Sequence, residues 1–120
     1  MTNCVSSFSI LKTNGEFQFV YRRGKSQHSR SIVLFYLPQK GVKKYGFTAS
    51  KKVGNAVVRS QSKRRLRAIF AEQCPHLKDG YYVLVAKEAL ASTTYEQLQF
   101  DFIKILQRAG SITDDQKSTS

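Results

Sequence analysis

From residue 17 to residue 71 the chain carries no Asp and no Glu. The same stretch holds Arg22, Arg23, Lys25, Arg30, Lys40, Lys43, Lys44, Lys51, Lys52, Arg59, Lys63, Arg64, Arg65 and Arg67. Burying an unpaired cation is costly, so any fold must keep these side chains at the surface while the apolar residues between them turn inward. The rest of the chain has 6 basic and 8 acidic residues, so the net charge of +12 comes from this one stretch. Charge kept only for solubility has no reason to segregate in this way. A polyanionic partner gives one, because neutralising phosphates releases condensed counterions. Nucleic acid is therefore the first candidate partner and an anionic membrane surface the second.

The 120 residues fit one domain, and 41% hydrophobic with 12% aromatic residues is enough for a packed core. Residues 1–110 read as that domain and residues 111–120, SITDDQKSTS, as a polar, flexible tail. Two cysteines, Cys4 and Cys74, are too few for a disulfide framework. Cys74-Pro75-His76 lacks a second ligand pair at zinc spacing and reads as a partly buried thiol beside a turn proline. The start, MTNCVSSFSILK, is not a secretory signal, and no stretch is long enough to cross a membrane. A cytoplasmic protein with no membrane partner is expected.

Asn14-Gly15-Glu16, then Phe17, Val20 and Tyr21, predict a short amphipathic helix capped by Asn14 and ended by a left-handed Gly24. Residues 31–37, SIVLFYL, form a strand stopped by Pro38, and residues 45–50 return as a second, antiparallel to the first. A further short strand is expected in the turn at 39–44. From Asn55 to Gln73 the period becomes helical, with Val58, Leu66 and Ile69 toward a core. Arg59, Lys63 and Arg67 make a slowly rotating stripe beside them, widened by Arg64. Residues 81–86 are a strand suited to a sheet interior. The last helix starts near Thr93 or Thr94 and presents Tyr95, Leu98, Phe102, Ile105 and Leu106 as core. The expected fold is α+β: a single-domain α/β sandwich, three helices on a small mixed sheet of about four strands, in the order αβββαβα.

Catalytic chemistry is hard to find. The central half has no carboxylates to hold Mg²⁺, and His28 and His76 show no acid–base pattern. No catalytic residue and no metal ligand is assigned. Phe47-Thr48 stands where a phosphate-binding loop needs Lys before Ser or Thr. Lys51 and Lys52 open the basic helix and are placed to meet a phosphate at its start. Phe17 and Tyr21 share one helix face and Phe35 alternates with Val33 and Leu37 on the first strand. These three rings, beside Lys51 and Lys52, suit a groove for unstacked bases, and core burial accounts for them equally well.

The run Ser50-Lys51-Lys52-Val53-Gly54-Asn55-Ala56-Val57-Val58-Arg59, followed by Lys63-Arg64-Arg65-Leu66-Arg67, resembles the signature of the bacterial ribonuclease P protein component. Glu16-Phe17 with Val20, Tyr21 and Gly24, then Arg30 and Ala86, extend the resemblance over residues 10–109. It implies a protein cofactor of a ribozyme that removes the 5′ leader of precursor tRNA. Its partners would be the RNA subunit and precursor tRNA, with no protein partner. It implies no cofactor bound by the protein alone, Mg²⁺ being required by the RNA subunit. Phe17, Tyr21, Phe35, Lys51 and Lys52 would belong to the leader cleft; Arg59, Ser60, Lys63, Arg64 and Arg67 would contact RNA. It also implies a left-handed crossover where the passage from 45 to 86 would by default be right-handed. The chain departs from the family at Arg59-Ser60-Gln61, where Arg-Asn-Arg or Arg-Asn-Lys is usual, and at Ser62, where an apolar residue is usual. Ser60 lacks the two-ended amide of Asn, and Gln61 brings no charge. The alternative from the residues alone is a ribosomal or other structured-RNA-binding protein; a stand-alone phosphodiesterase is disfavoured by the missing carboxylates.

Contact with about four single-strand phosphates predicts a log–log slope of affinity against salt near −3, from about −0.7 per phosphate. A flat response in a salt titration contradicts phosphate contact.

Overall fold

The structure, a computed structural model, describes residues 8–111. Cys4 and the tail from residue 112 lie outside the described residues. The elements run β1 (Ser9–Ile10), α1 (Asn14–Arg23), β2 (Lys25–His28), β3 (Ile32–Pro38), β4 (Lys43–Ala49), α2 (Ala56–Gln73), β5 (Gly80–Ala86) and α3 (Tyr95–Ala109). Single 3₁₀ turns at Lys51–Val53, Cys74–His76 and Glu88–Ser92 join them. The five strands form one mixed sheet in the order β1-β4-β5-β3-β2.

The most buried strand takes the centre: β5 is antiparallel to β3 and parallel to β4. The two strands expected to return on each other are thus antiparallel but not neighbours, because β5 lies between them. The additional strand is not in the 39–44 turn. It is β2, antiparallel to β3 from Lys25–Tyr36 to His28–Val33, and β1 adds a fifth strand parallel to β4. Both are short polar or part-polar edges, where charge and brevity protect against strand addition.

Side chains alternate across this sheet. One face, with Ile32, Leu34, Tyr36, Tyr45, Tyr82 and Leu84, packs under α2 and α3 into the main core. Leu66, Ile69 and Phe70 come from α2, and Leu98, Phe102, Ile105 and Leu106 from α3, all buried. Burying each such side chain contributes about 1.5–3 kcal/mol. Among the described residues the opposite face carries only α1, packed through buried Val20 against Val83 and Leu11. Phe35, Thr48, Tyr81 and Val85 on this face stay partly exposed.

Local chemistry sets the helix ends. Thr13, not Asn14, caps α1: its Oγ1 accepts from the Glu16 amide at 3.2 Å while Glu16 Oε1 accepts from the Lys12 and Thr13 amides. This reciprocal arrangement satisfies donors that a lone Asn14 would leave open. Gly24 is extended at φ −79°, not left-handed. A Cβ there would stand 2.7 Å from Val20 O and 3.1 Å from Tyr36 O, so close backbone approach is what requires glycine. Asn55 caps α2, Thr94 caps α3, and Gly110 ends α3 in the left-handed conformation at φ 72°. Ser111 is buried, and its carbonyl accepts from the Lys78 amide.

The Lys12 and Thr13 amides and Lys44, whose Nζ lies 3.2 Å from Oε2, hold the Glu16 carboxyl down to about 2. A depressed carboxyl stabilises the fold above its unfolded value, near 4.5, and loses that contribution as pH falls toward 2. Glu16→Gln is expected to lower Tm at pH 6 and to match the unmodified chain near pH 2. A constant difference across that range in thermal melts contradicts this account.

Candidate nucleic-acid interface

Phe17 and Tyr21 lie on the flank of α1 that overhangs the partly exposed face. The Phe17 ring sits on Gly46 of β4, where a Cβ would stand 2.6 Å from two ring carbons. Tyr21 lies 6.3 Å from Phe17 and stands edge-on to Phe35 at 4.8 Å. All three rings are half-buried: each packs against its neighbours, and each keeps an accessible face. Gly46, Val83 and Phe35 lie in one cross-strand row beneath α1. The next row is Thr48, Val85, Val33 and His28, with Thr48 and Val85 half-buried, His28 exposed and Val33 buried.

The cations come mainly from α2. Its buried Leu66 and Phe70 fix its rotation, and positions four apart then drift by about 40° per step. Arg59 is therefore half-buried on the shoulder of the core side, with its Nε buried and unpaired among the described residues. Lys63 and Arg67 rotate clear of the core and are exposed. They join Ser60, Arg64, Gly46 and Phe17 around a groove of about 450 Å³ beside the edge of β4. β1 pairs with Lys44 and Tyr45, so among the described residues β4 has no strand neighbour on this side from Gly46 onward.

Lys52 is placed elsewhere. With Arg30, Ser50 and Lys87 it lines a hollow of about 420 Å³ beyond the carboxyl ends of β4 and β5. Lys51 is exposed on the same 3₁₀ turn. The structure thus gathers Phe17, Tyr21 and Phe35 into one row and Ser60, Lys63, Arg64 and Arg67 into one groove. It leaves Arg59 at the groove's shoulder and Lys51 and Lys52 at the far end of the sheet.

Two residues have roles that charge counting missed. Arg65 donates from Nη1 to Leu90 O at 2.7 Å and from Nη2 to Thr93 O, so it pins the 3₁₀ turn before α3. Ser62 is 2% exposed, a small polar residue at a core-facing position. Among the described residues no group of three or more His, Cys, Asp or Glu side chains could hold a metal ion. No helix among them is long and apolar enough to cross a membrane. Cys74 is buried, with its thiol 3.5 Å from Ala71 O.

The family model described as Ribonuclease P matches residues 6–110. The chain belongs to the ribonuclease P protein family. The ribonuclease P protein component of a Nitratiruptor species is 46% identical over 98 residues, covering 82% of this chain and 89% of that one. That of Streptococcus agalactiae serotype III is 36% identical over 104 residues, covering 85% and 94%. Among solved structures, the Staphylococcus aureus RNase P protein superposes with a TM-score of 0.77 at 28% identity, covering 87% and 97%. The Thermotoga maritima RNase P protein shares the fold, with a TM-score of 0.72 at 20% identity, covering 83% and 96%. As a ribonuclease P protein the chain is part of a ribonucleoprotein enzyme of tRNA 5′-end processing, with an RNA subunit and a tRNA substrate. The ribosomal alternative is left without support.

Arg65 is tied to two backbone carbonyls, whereas Arg67 is exposed in the groove. Arg65→Ala frees two backbone carbonyls and is expected to cost about 1–3 kcal/mol of stability in denaturant titrations. Arg67→Ala should leave the melt unchanged and weaken RNA binding. Equal effects of both variants on both measurements contradict the assignment.

Proposed function

We propose that the chain holds the single-stranded 5′ leader of precursor tRNA along Phe17, Tyr21 and Phe35 and docks on the RNA subunit of ribonuclease P through Arg59, Ser60, Lys63, Arg64 and Arg67. The observation that carries this reading is the position of Phe17. Its ring belongs both to the aromatic row and to the groove lined by Ser60, Lys63, Arg64 and Arg67. One strand of RNA can therefore pass its bases over half-buried rings while its phosphates stay in reach of the cations. Lys51 and Lys52, with Arg30, attract the backbone at the far end of the partly exposed sheet face. Ser60 has a single hydroxyl where the family usually offers an amide, so the docking contact on α2 rests more heavily on Lys63, Arg64 and Arg67.

The protein supplies position and charge, and the RNA subunit carries out the cleavage. Hydrolysis by ribonuclease P needs Mg²⁺, a hard cation that prefers several carboxylate or phosphate oxygens. The polar side chains lining the α2 groove are Ser60, Lys63, Arg64 and Arg67, and the far hollow adds a single carboxylate, Glu88, among Arg30, Lys52 and Lys87, which do not fit that ion. Mg²⁺ is accordingly assigned to RNA phosphates, and no chemical step is routed through the protein. What the protein contributes is affinity for a substrate that still carries its leader over a product that has lost it.

Cleavage of precursor tRNA at low Mg²⁺ by protein, RNA subunit and both together tests the division of labour; only the pair should be efficient. Tyr21→Ala or Phe35→Ala should weaken binding of leader-bearing precursor roughly ten-fold, since base–aromatic stacking is worth about 1–3 kcal/mol. Binding of mature tRNA should be unaffected. Affinity that ignores the presence of a leader in the unmodified complex defeats the cleft assignment.

A further inference from the structure

Helix α1 lies across the middle of the partly exposed face, so it has two flanks, and the proposed cleft uses only one. The contacts settle which residues lie on which. Phe17 and Tyr21 meet Gly46 and Phe35, whereas Glu16 and Phe19 reach the neighbouring row formed by Lys44, Tyr81 and Leu37.

On this second flank Phe19 is 42% exposed. Its ring stands edge-on to Tyr81 with centroids 5.6 Å apart and planes at 75°. Arg23, one helical turn further, places its guanidinium carbon 5.8 Å from the Phe19 ring centre. Tyr81 is itself half-buried and continues onto half-buried Leu37 in the next strand. Single exposed apolar residues are ordinary on protein surfaces. An exposed phenyl ring, a tyrosine beneath it and an arginine over it form a composite surface, with flat faces and a positive edge.

Charge selects the class of partner. Glu16 is the sole acid of α1, and it is committed to Lys44 and to the Lys12 and Thr13 amides. Arg22, Arg23 and Lys25 follow it without an acidic neighbour in sequence. An acidic protein segment would satisfy the cations but has no use for exposed ring faces. Unpaired nucleotides use both, stacking a base on the aromatic or guanidinium plane and giving a phosphate to the arginine.

We infer that Phe19, Tyr81 and Arg23 form a second platform for unpaired RNA nucleotides, on the flank of α1 opposite the leader cleft. The inference rests on the reading of the chain as an RNA binder but not on the cleft residues. Two flanks of one helix would then grip RNA at once, so that α1 acts as a ridge with a strand on either side.

The sequence contains no tryptophan, so Phe19→Trp and Tyr21→Trp each install a single fluorescent indole, one per flank. Oligoadenylate of about ten nucleotides, near the length a single such surface covers, is titrated against each. Both reporters should be quenched, while inorganic polyphosphate, which has the charge but no bases, leaves the Phe19→Trp emission unchanged. Phe19→Leu keeps an apolar contact on Tyr81 and should lower oligoadenylate affinity about five-fold with an unchanged Tm. Should Phe19→Trp fold poorly, Tyr81→Trp reports on the same surface. Steady emission from the Phe19 and Tyr81 reporters, at oligoadenylate concentrations that saturate the Tyr21 reporter, overturns the platform and spares the cleft. Quenching on the Phe19 flank alone keeps the platform and sinks the cleft, and silence on both flanks sinks both.

Discussion

The packing of Phe70 holds the molecule together and orients everything that could meet RNA. Its ring stacks on Tyr45 at 5.1 Å and 18°, and stands edge-on to Phe8 at 5.3 Å and Tyr82 at 5.8 Å. These contacts reach β4, β5 and the chain just before β1, so a single side chain of α2 fixes that helix against three parts of the sheet side. With Phe70 and Leu66 turned inward, the rotation of α2 is no longer free. Its cations must project along the edge of β4 in the order that helical drift dictates, from half-buried Arg59 to exposed Arg67. The basic surface is thus a consequence of core packing and needs no device of its own.

A second consequence is the asymmetry of the sheet. α2 and α3 cover one face, and among the described residues only the ten of α1 lie on the other. A helix of that length is marginal by itself. The Thr13–Glu16 capping box and the Glu16–Lys44 pair hold its start, while Gly24 lets its end approach the β3 backbone. Gly46, lacking a Cβ, lets Phe17 settle onto β4 and so brings the aromatic row up to the α2 groove. Two glycines, neither used here for a left-handed turn, determine how close α1 comes to the sheet.

Much of this was legible in the residues because it depends on local pattern. α2, α3 and the three apolar strands follow from helical or extended periodicity, and the sorting of charge already pointed to RNA. The failures share a cause in non-local contacts. Nothing in residues 31–50 shows that β5, thirty residues later, will insert between β3 and β4. β2 reads Lys-Ser-Gln-His and has no apolar alternation to announce a strand; it exists because the edge of β3 offers backbone partners. Arg65 counts as one more unopposed cation until the fold brings the Leu90 and Thr93 carbonyls to it. The capping box is the exception, since Thr13 followed three residues later by Glu16 is a readable signal that Asn14 obscured. At the candidate site, the grouping of Phe17, Tyr21 and Phe35 was legible from face and alternation. The separation of Lys52 from them was not, because it depends on where β4 ends relative to β3.

The charge distribution also bears on how such a domain survives alone. Glu16–Lys44 is the one ion pair between side chains among the described residues, so most cations of the central stretch have no carboxylate partner among them. Self-repulsion of this kind destabilises a compact state, and it is strongest in low salt, where screening is weakest. The apolar core tolerates it because the cations stand on α2, on α1 and at the strand ends, outside the buried faces. A polyanion that binds only the folded form removes the repulsion and adds its own binding free energy to folding. The surface that weakens the isolated domain is therefore the one through which RNA would stabilise it, which couples the integrity of the protein to its place in the ribonucleoprotein.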